Sequence, residues 1–158
     1  MSPHKEMTPA EIDQFLTCAR TGRLGIIYKG DPYIIPVGFA YTDGKIAIHA
    51  CSAGQKMNAL QSNPKVCFEV DESLSDGSMY KSVLIYGKAE ILKDNAEKIP
   101  YLQALINKYR VPEAFADYIN KPPRNPQQEM KDVRIVLITP EKITSRQFIK
   151  FGKWRDDE

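Results

Sequence analysis

A succession of short β-favouring runs, each closed by turn chemistry, narrows the folds open to this chain more than any other feature. Leu24 to Tyr28, Tyr33 to Tyr41 and Lys45 to Cys51 follow one another with only Lys29-Gly30-Asp31-Pro32 and Asp43-Gly44 at the turns. A two-residue hairpin loop needs positive φ at its centre, which Asp-Gly tolerates, so these runs are expected to form a meander. In Lys45-Ile46-Ala47-Ile48-His49 the apolar residues 46 and 48 alternate with 47 and 49, turning one face to a core and the other to a site or partner. Lys65 to Val70 adds a strand, and after the polar turn of Asp71 to Ser78 comes a longer one, Tyr80 to Leu92, with Gly87 as a candidate bulge. Val133 to Ile138 is read as the last strand, before a charged tail.

Two longer helices accompany the strands. Thr8-Pro9-Ala10-Glu11 sets a hydroxyl at the N-cap, proline at the first helical position and a carboxylate three residues after the cap. That helix is expected to run to about Arg20 and to pack through Ile12, Phe15, Leu16 and Ala19. Ile99, Leu102, Ile106 and Tyr109 trace a second stripe within Ala96 to Tyr109, where Pro100 implies a late start or a distorted first turn. A short helix carrying Met57 and Leu60 follows Gly54 and stops before Asn63-Pro64. Lys121 to Pro126 is read as a loop. At least five strands with only two longer helices predict a mainly β (α+β) barrel decorated with helices, not an alternating parallel sheet. The 158 residues fit one domain, with its core at about residues 9–140.

With 22 basic and 20 acidic side chains the net charge is only +2, too small a field to hold the protein on nucleic acid or an anionic membrane. No apolar run approaches the roughly 18 residues of a spanning helix, and the first six residues are not followed by a signal-type apolar segment. A cytoplasmic protein is therefore expected. Cys18, Cys51 and Cys67 are odd in number and far apart, without metal-site spacing, so reduced thiols are expected, at least two of them buried.

Chemistry concentrates in the segment from His49 to Leu60, which joins a strand end, a small-residue turn and a helix start. A helix N-terminus offers unpaired N–H groups and partial positive charge, to which Ser52, Gly54 and Lys56 add a hydroxyl, a free backbone and an ammonium. By composition this could cradle a phosphate, but the residues alone favour an ordinary connection with a solvated Lys56. His49 has no partner for acid–base work and suits a structural or phosphate-facing place. Arg23 and Tyr80-Lys81-Ser82 start two strands and could meet across a barrel mouth or simply be solvated at its rim. No G-x-S-x-G elbow or nucleophilic cysteine motif is present.

Gly22-Arg23-Leu24, Pro36-Val37-Gly38-Phe39-Ala40-Tyr41, His49 with Gly54-Gln55-Lys56, Asn63 to Val70, and Lys81-Ser82-Val83 with Gly87 occur in one recognisable order. In that order, over about Glu11 to Ile138, the chain resembles the pyridoxamine phosphate oxidase-like FMN-binding split barrels, in their nitroimidazole-resistance branch. The resemblance implies a six-stranded antiparallel split barrel, homodimeric, with FMN between the subunits. It assigns His49, Gly54 and Lys56 to the FMN phosphate. It sets Pro36, Val37, Gly38 and Phe39 beside the isoalloxazine, with backbone groups at its polar edge and Phe39 or Val37 on its apolar surface. Arg23, Tyr80 and Ser82 are weaker carry-overs, Ser82 toward the cofactor of the other subunit. The arginine-containing substrate segment of the true oxidases is not reproduced in Lys150-Phe151-Gly152-Lys153-Trp154-Arg155, so vitamer oxidation is not expected; Trp154 is a candidate to fold over a flavin.

The expectation is an FMN-dependent, nicotinamide-linked reductase of a small-molecule electron acceptor such as a nitroaromatic. The alternatives are a non-catalytic carrier, store or sensor of FMN or of haem, the latter through His49, and a deazaflavin protein, since related split barrels hold that cofactor.

Overall fold

Strand pairing follows the turn chemistry in the computed structural model, which describes residues 4–150. After a two-residue strand β1 (His4–Lys5) and helix α1 (Pro9–Cys18) come β2 (Gly22–Tyr28), β3 (Asp31–Val37), β4 (Ala40–Thr42) and β5 (Lys45–Cys51). Helix α2 (Gln55–Ser62) leads to β6 (Lys65–Ser73) and β7 (Met79–Leu92). Helices α3 (Asn95–Tyr109), α4 (Phe115–Ile119) and α5 (Pro126–Asp132) precede β8 (Val133–Ile149). The β2–β3 and β4–β5 hairpins turn on Lys29-Gly30 and Asp43-Gly44, all four residues with φ between 52° and 82°. Such turns match the twist of the strands that they join.

All pairs are antiparallel, in the order β3-β2-β6-β7-β8-β5-β4, with β1 added to β8. The two ends of this order, β3 and β4, are consecutive in the chain and separated only by Gly38 and Phe39. The sheet therefore curls until its edges meet through a covalent link instead of a hydrogen-bonded ladder, which is a split barrel. Eight strands replace the expected six because that link divides one predicted strand into β3 and β4, and because the N-terminal segment pairs with β8.

The last strand differs most from the sequence reading. It runs 17 residues, to Ile149, and pairs along the whole of β7. Its apolar signal breaks at Pro140-Glu141-Lys142, where the register shifts: Tyr86 faces Lys142 but Gly87 faces Pro140, so Glu141 is the extra residue of a bulge. A bulge tolerates a proline without its N–H, and Gly87 is required because a Cβ there would stand 2.4 Å from the Thr139 carbonyl oxygen.

The main core lies inside the barrel, where Leu24, Ile26, Ile46, Ile48, Phe68, Val70, Val83, Ile85, Val136 and Ile138 are buried against Phe15 and Leu16 of α1 and Met57 and Leu60 of α2. On the opposite face Ala47, Leu92, Ile135 and Leu137 are covered by Tyr101, Leu102 and Leu105 of α3. Helix α3 begins at Asn95, with the Asp94 carboxylate accepting from Glu97 N–H at 3.2 Å, so Pro100 neither delays its start nor breaks it. Its expected stripe packs at Leu102 and Ile106 but not at its start, where Ile99 is exposed and Lys98 is fully buried. The Lys98 ammonium donates to the carbonyls of Met130 and Val133, the latter at 3.0 Å, at the C-terminal end of α5, which carries partial negative charge. Helix α1 stops at Cys18, short of Arg20, but buries the expected face.

The expectation of buried cysteines is overturned. Cys18 and Cys51 are exposed and Cys67 is partly so, all free. Cys51 and Cys67 fall on the strand positions that alternate with the buried Ala50, Val66 and Phe68, and Cys18 ends α1. No helix among the described residues is long and apolar enough to cross a membrane.

The Gly38-Phe39 link leaves backbone groups without a strand partner, and α3 supplies one. Tyr109 Oη accepts from Phe39 N–H at 2.8 Å, and its single proton serves either the Phe39 carbonyl at 3.0 Å or that of Arg20 at 2.5 Å. Tyr109→Phe is expected to destabilise the fold by about 1–3 kcal/mol, measured by urea unfolding, and to speed hydrogen exchange at the Phe39 amide. Unchanged exchange there would mean that the hydroxyl does not hold the link.

Candidate functional site

Strand β5 sends Ile46, Ile48 and Ala50 into the barrel and Ala47, His49 and Cys51 outward. The β4–β5 ladder ends where Ala47 pairs with Ala40, and His49 and Gly38 lie just beyond that end. Both line an apolar cavity of about 310 Å³ closed by Leu102, Leu105, Ile106 and Tyr109 of α3, Phe115 and Tyr118 of α4, and Arg110. That volume lies at the lower end of the range for small-molecule sites. Sequence order alone does not bring α3 and α4 to this place; they are held there by the cluster of Ile106, Phe115, Ile119 and Met130.

His49 feels the charge of two cations, Lys56 and Arg110. Partial burial, then the positive fields of Lys56 and Arg110, hold its imidazole below the ordinary histidine value, so it is neutral at pH 7. Lys56, at the second position of α2, is itself held below the usual lysine value by burial, which the neighbouring Cys51 partly offsets. Gly54 caps α2 at φ 115°, a conformation that favours glycine, and no side chain caps the first turn. Arg110 is the C-cap of α3. Among the described residues no carboxylate pairs with Lys56 or Arg110. Three basic groups from three elements thus converge without a counter-charge, beside helix N–H groups that no side chain caps, an arrangement suited to an anion such as a phosphate. Arg110 carries no motif that marks it in the sequence; only its place after the α3 stripe could have pointed to it.

The residues of the β3–β4 link divide differently from expectation. Pro36 and Gly38 are exposed, whereas Val37 packs toward the barrel interior and Phe39 is fully buried, its ring edge against Phe68 at 5.0 Å. The expected apolar surface of Phe39 or Val37 therefore belongs to the core, because those positions alternate with the outward-facing Pro36. Over the Phe39 ring, 3.8 Å from its centre, sits the Lys108 ammonium, buried and without a hydrogen-bond partner. Burial and the nearby Arg20 bring its pKa down to about 8, while Cys18 acts the other way.

Arg23, Tyr80 and Ser82 form a second group, on the outer face of the sheet. Arg23 donates to Glu69 at 2.9 Å and to Asp71, and these bonds, that to Asp71 first, raise its pKa. Burial raises Glu69 against the opposing effect of Arg23. Asp71 pairs in register with Ser82, and Arg23 with Pro36. Arg23 is thus linked by the sheet to the β3–β4 link, but its charge is already met by two carboxylates. Tyr80 is partly exposed two residues from Ser82. Trp154 lies outside the described residues.

The fold recurs in solved structures. A candidate 5-nitroimidazole antibiotic resistance protein from Bacteroides thetaiotaomicron aligns over 92% of this chain and 89% of its own, at 20% identity and a TM-score of 0.73. An FAD-binding protein from Mesorhizobium loti covers 91% and 97% at 24% identity and a TM-score of 0.68. An FAD- and haem-binding protein from Mycobacterium smegmatis covers 99% and 77% at 17% identity and a TM-score of 0.73. An uncharacterised curated protein of Rhizobium meliloti is 28% identical over 86 residues, which span 54% of this chain and 56% of that protein. The sequence pattern of the pyridoxamine 5'-phosphate oxidase family matches residues 8–147, nearly the whole of the split barrel described above, and the chain belongs to that family.

Proposed function

We propose that this protein binds a flavin, FMN in the simplest case, and uses it to carry electrons from a nicotinamide nucleotide to a small acceptor such as a nitroaromatic compound. The observation that carries the proposal is the uncompensated pair of His49 and Arg110 on the wall of one apolar cavity, with the charge of Lys56 reaching His49 from α2. An anion with an attached apolar ring system meets both needs, and a phosphorylated flavin has both parts. Family membership and the names of two of the structural neighbours, which state FAD binding, support the same cofactor class. The Bacteroides neighbour supports the choice of acceptor.

In this reading Lys56, Arg110 and the first turn of α2 hold the phosphate, Gly54 lets the backbone approach it, and neutral His49 takes a proton as the anion arrives. The exposed Pro36 and Gly38 lie along the ring system, which Tyr109 positions indirectly by fixing the link behind them. The flavin, once bound, supplies hydride and electron transfer, so the chain needs no acid–base pair of its own. A homodimer completes the proposal. Ile34 and Tyr86 are 67 and 40% exposed on the outer sheet face that also carries Arg23, Tyr80 and Ser82, and covering them with a second copy would bring those three toward the partner's cofactor. Free thiols support a cytoplasmic place for this chemistry.

One observation favours a second reading, haem: a neutral imidazole is the form that ligates iron, and His49 is held neutral at the cavity edge. The absorption spectrum of the purified protein separates the two. Twin flavin bands, bleached by NADH or NADPH and restored by a nitroimidazole, are expected; a single intense haem band would replace the flavin proposal, and flavin that nicotinamide cannot bleach would make the protein a carrier.

Lys56→Ala is expected to weaken FMN binding about ten- to hundredfold, the effect of losing one charge-assisted contact, in a fluorescence titration. Equal affinity would remove Lys56 from the site. Because the His49 pKa is depressed in the free protein and rises on meeting an anion, the wild-type advantage in FMN affinity over His49→Asn should grow as pH falls below the usual histidine value. Comparing the two proteins cancels the titration of the phosphate itself, and a pH-independent difference would place His49 away from the anion.

A further inference from the structure

The apolar cavity does not end at Arg110. Arg110 and Tyr118 also belong to the wall of a second cavity, of about 620 Å³, formed with the segment between α4 and α5. Its chemistry is different. Arg110, Lys121 and Arg124 face two carboxylates: Lys121 pairs with Glu113, and Arg124 approaches Glu129 only at 3.4 Å. Arg110 has no acidic partner among the described residues, so the wall keeps a net positive charge. Both guanidinium groups lie over the Tyr118 ring, Arg124 at 4.1 Å and Arg110 at 5.3 Å from its centre. Stacking of this kind holds a guanidinium plane while leaving N–H edges free, and it makes a platform on which a nucleobase can also stack.

We propose that this second cavity is a nucleotide subsite that takes the adenosine phosphate half of a dinucleotide, with the other half in the apolar cavity and the linking phosphates at Arg110. A mononucleotide in the apolar cavity leaves Lys121, Arg124 and the Tyr118 platform without a ligand, whereas a dinucleotide needs an apolar slot, a cationic neck and a polar, base-stacking chamber in that order. The proposal rests on the anion-binding reading of His49, Lys56 and Arg110 and extends it. Two sources share this chemistry, FAD in place of FMN and a nicotinamide dinucleotide beside it.

The test is calorimetric titration of the full-length chain, freed of any flavin, with ADP. Saturable binding is expected, weakened about tenfold by Arg124→Gln and unaffected by Lys88→Gln on the sheet, the tenfold being the loss of one charge-assisted contact. No heat at millimolar ADP, or equal losses in both variants, would overturn the proposal. Parallel titrations with FMN and FAD assign the source: an FAD advantage that disappears in Arg124→Gln assigns the subsite to the flavin, and equal FMN and FAD affinities with ADP displaced by NADPH assign it to the nicotinamide nucleotide. Arg110→Gln should weaken ADP and FMN together. ADP binding without FMN binding would remove the mononucleotide reading and leave the subsite standing; FMN binding without ADP binding would do the reverse.

Discussion

The fold depends on how the barrel is closed. A sheet of this size must end in two edges, and here the edges β3 and β4 are joined by Gly38-Phe39, whose backbone polar groups cannot find a ladder partner. The Tyr109 hydroxyl answers that need from the end of α3. In doing so it holds the last turn of α3 over the link, and with it Arg110. The cavity between Gly38, His49 and α3 is therefore a consequence of closing the barrel, not an independent decoration. The same turn of α3 brings Lys108 onto the Phe39 ring, where a cation–π contact offsets part of the cost of an ammonium without a hydrogen bond.

Charge distribution separates two parts of one surface. On the outer sheet face, Arg23 is satisfied by Glu69 and Asp71. Around His49 the cations are left unmatched; burial moves both His49 and Lys56 toward their neutral forms, and for His49 the fields of Lys56 and Arg110 add to it. An unmatched cation beside an apolar cavity is the arrangement on which the proposed anion site rests. The buried Lys98 shows the opposite solution, since its charge is met by the carbonyl oxygens that end α5.

Local chemistry made the hairpins legible. Gly44 and Gly30 permit the positive φ that their hairpin turns need, which Asp43 tolerates, and Thr8-Pro9-Ala10-Glu11 supplies its own helix cap. Long-range pairing was less legible. Pro140-Glu141-Lys142 reads as the end of a strand, yet β8 passes it because β7 supplies a continuous partner and Gly87 gives room at the bulge. Ile99 and Lys98 exchanged their expected places because the carbonyls of α5 can receive an ammonium, a fact written in no window of sequence around either residue. The cysteines failed for a related reason: residue type suggested burial, but strand alternation placed Cys51 and Cys67 outside.

For the site, the sequence by itself determined the strand that carries His49 and the glycine-preceded helix that carries Lys56, because both follow from local turn and capping chemistry. It also carried the family order that names the split barrel. Only the tertiary structure decided that Arg110 joins His49, that Phe39 and Val37 turn inward while Pro36 and Gly38 stay exposed, and that Arg23 is engaged by Glu69 and Asp71. These facts depend on where the end of α3 docks and which face each strand turns to the core. Both are settled by packing between distant segments, such as Phe39 and Tyr109, 70 residues apart, which no local pattern encodes.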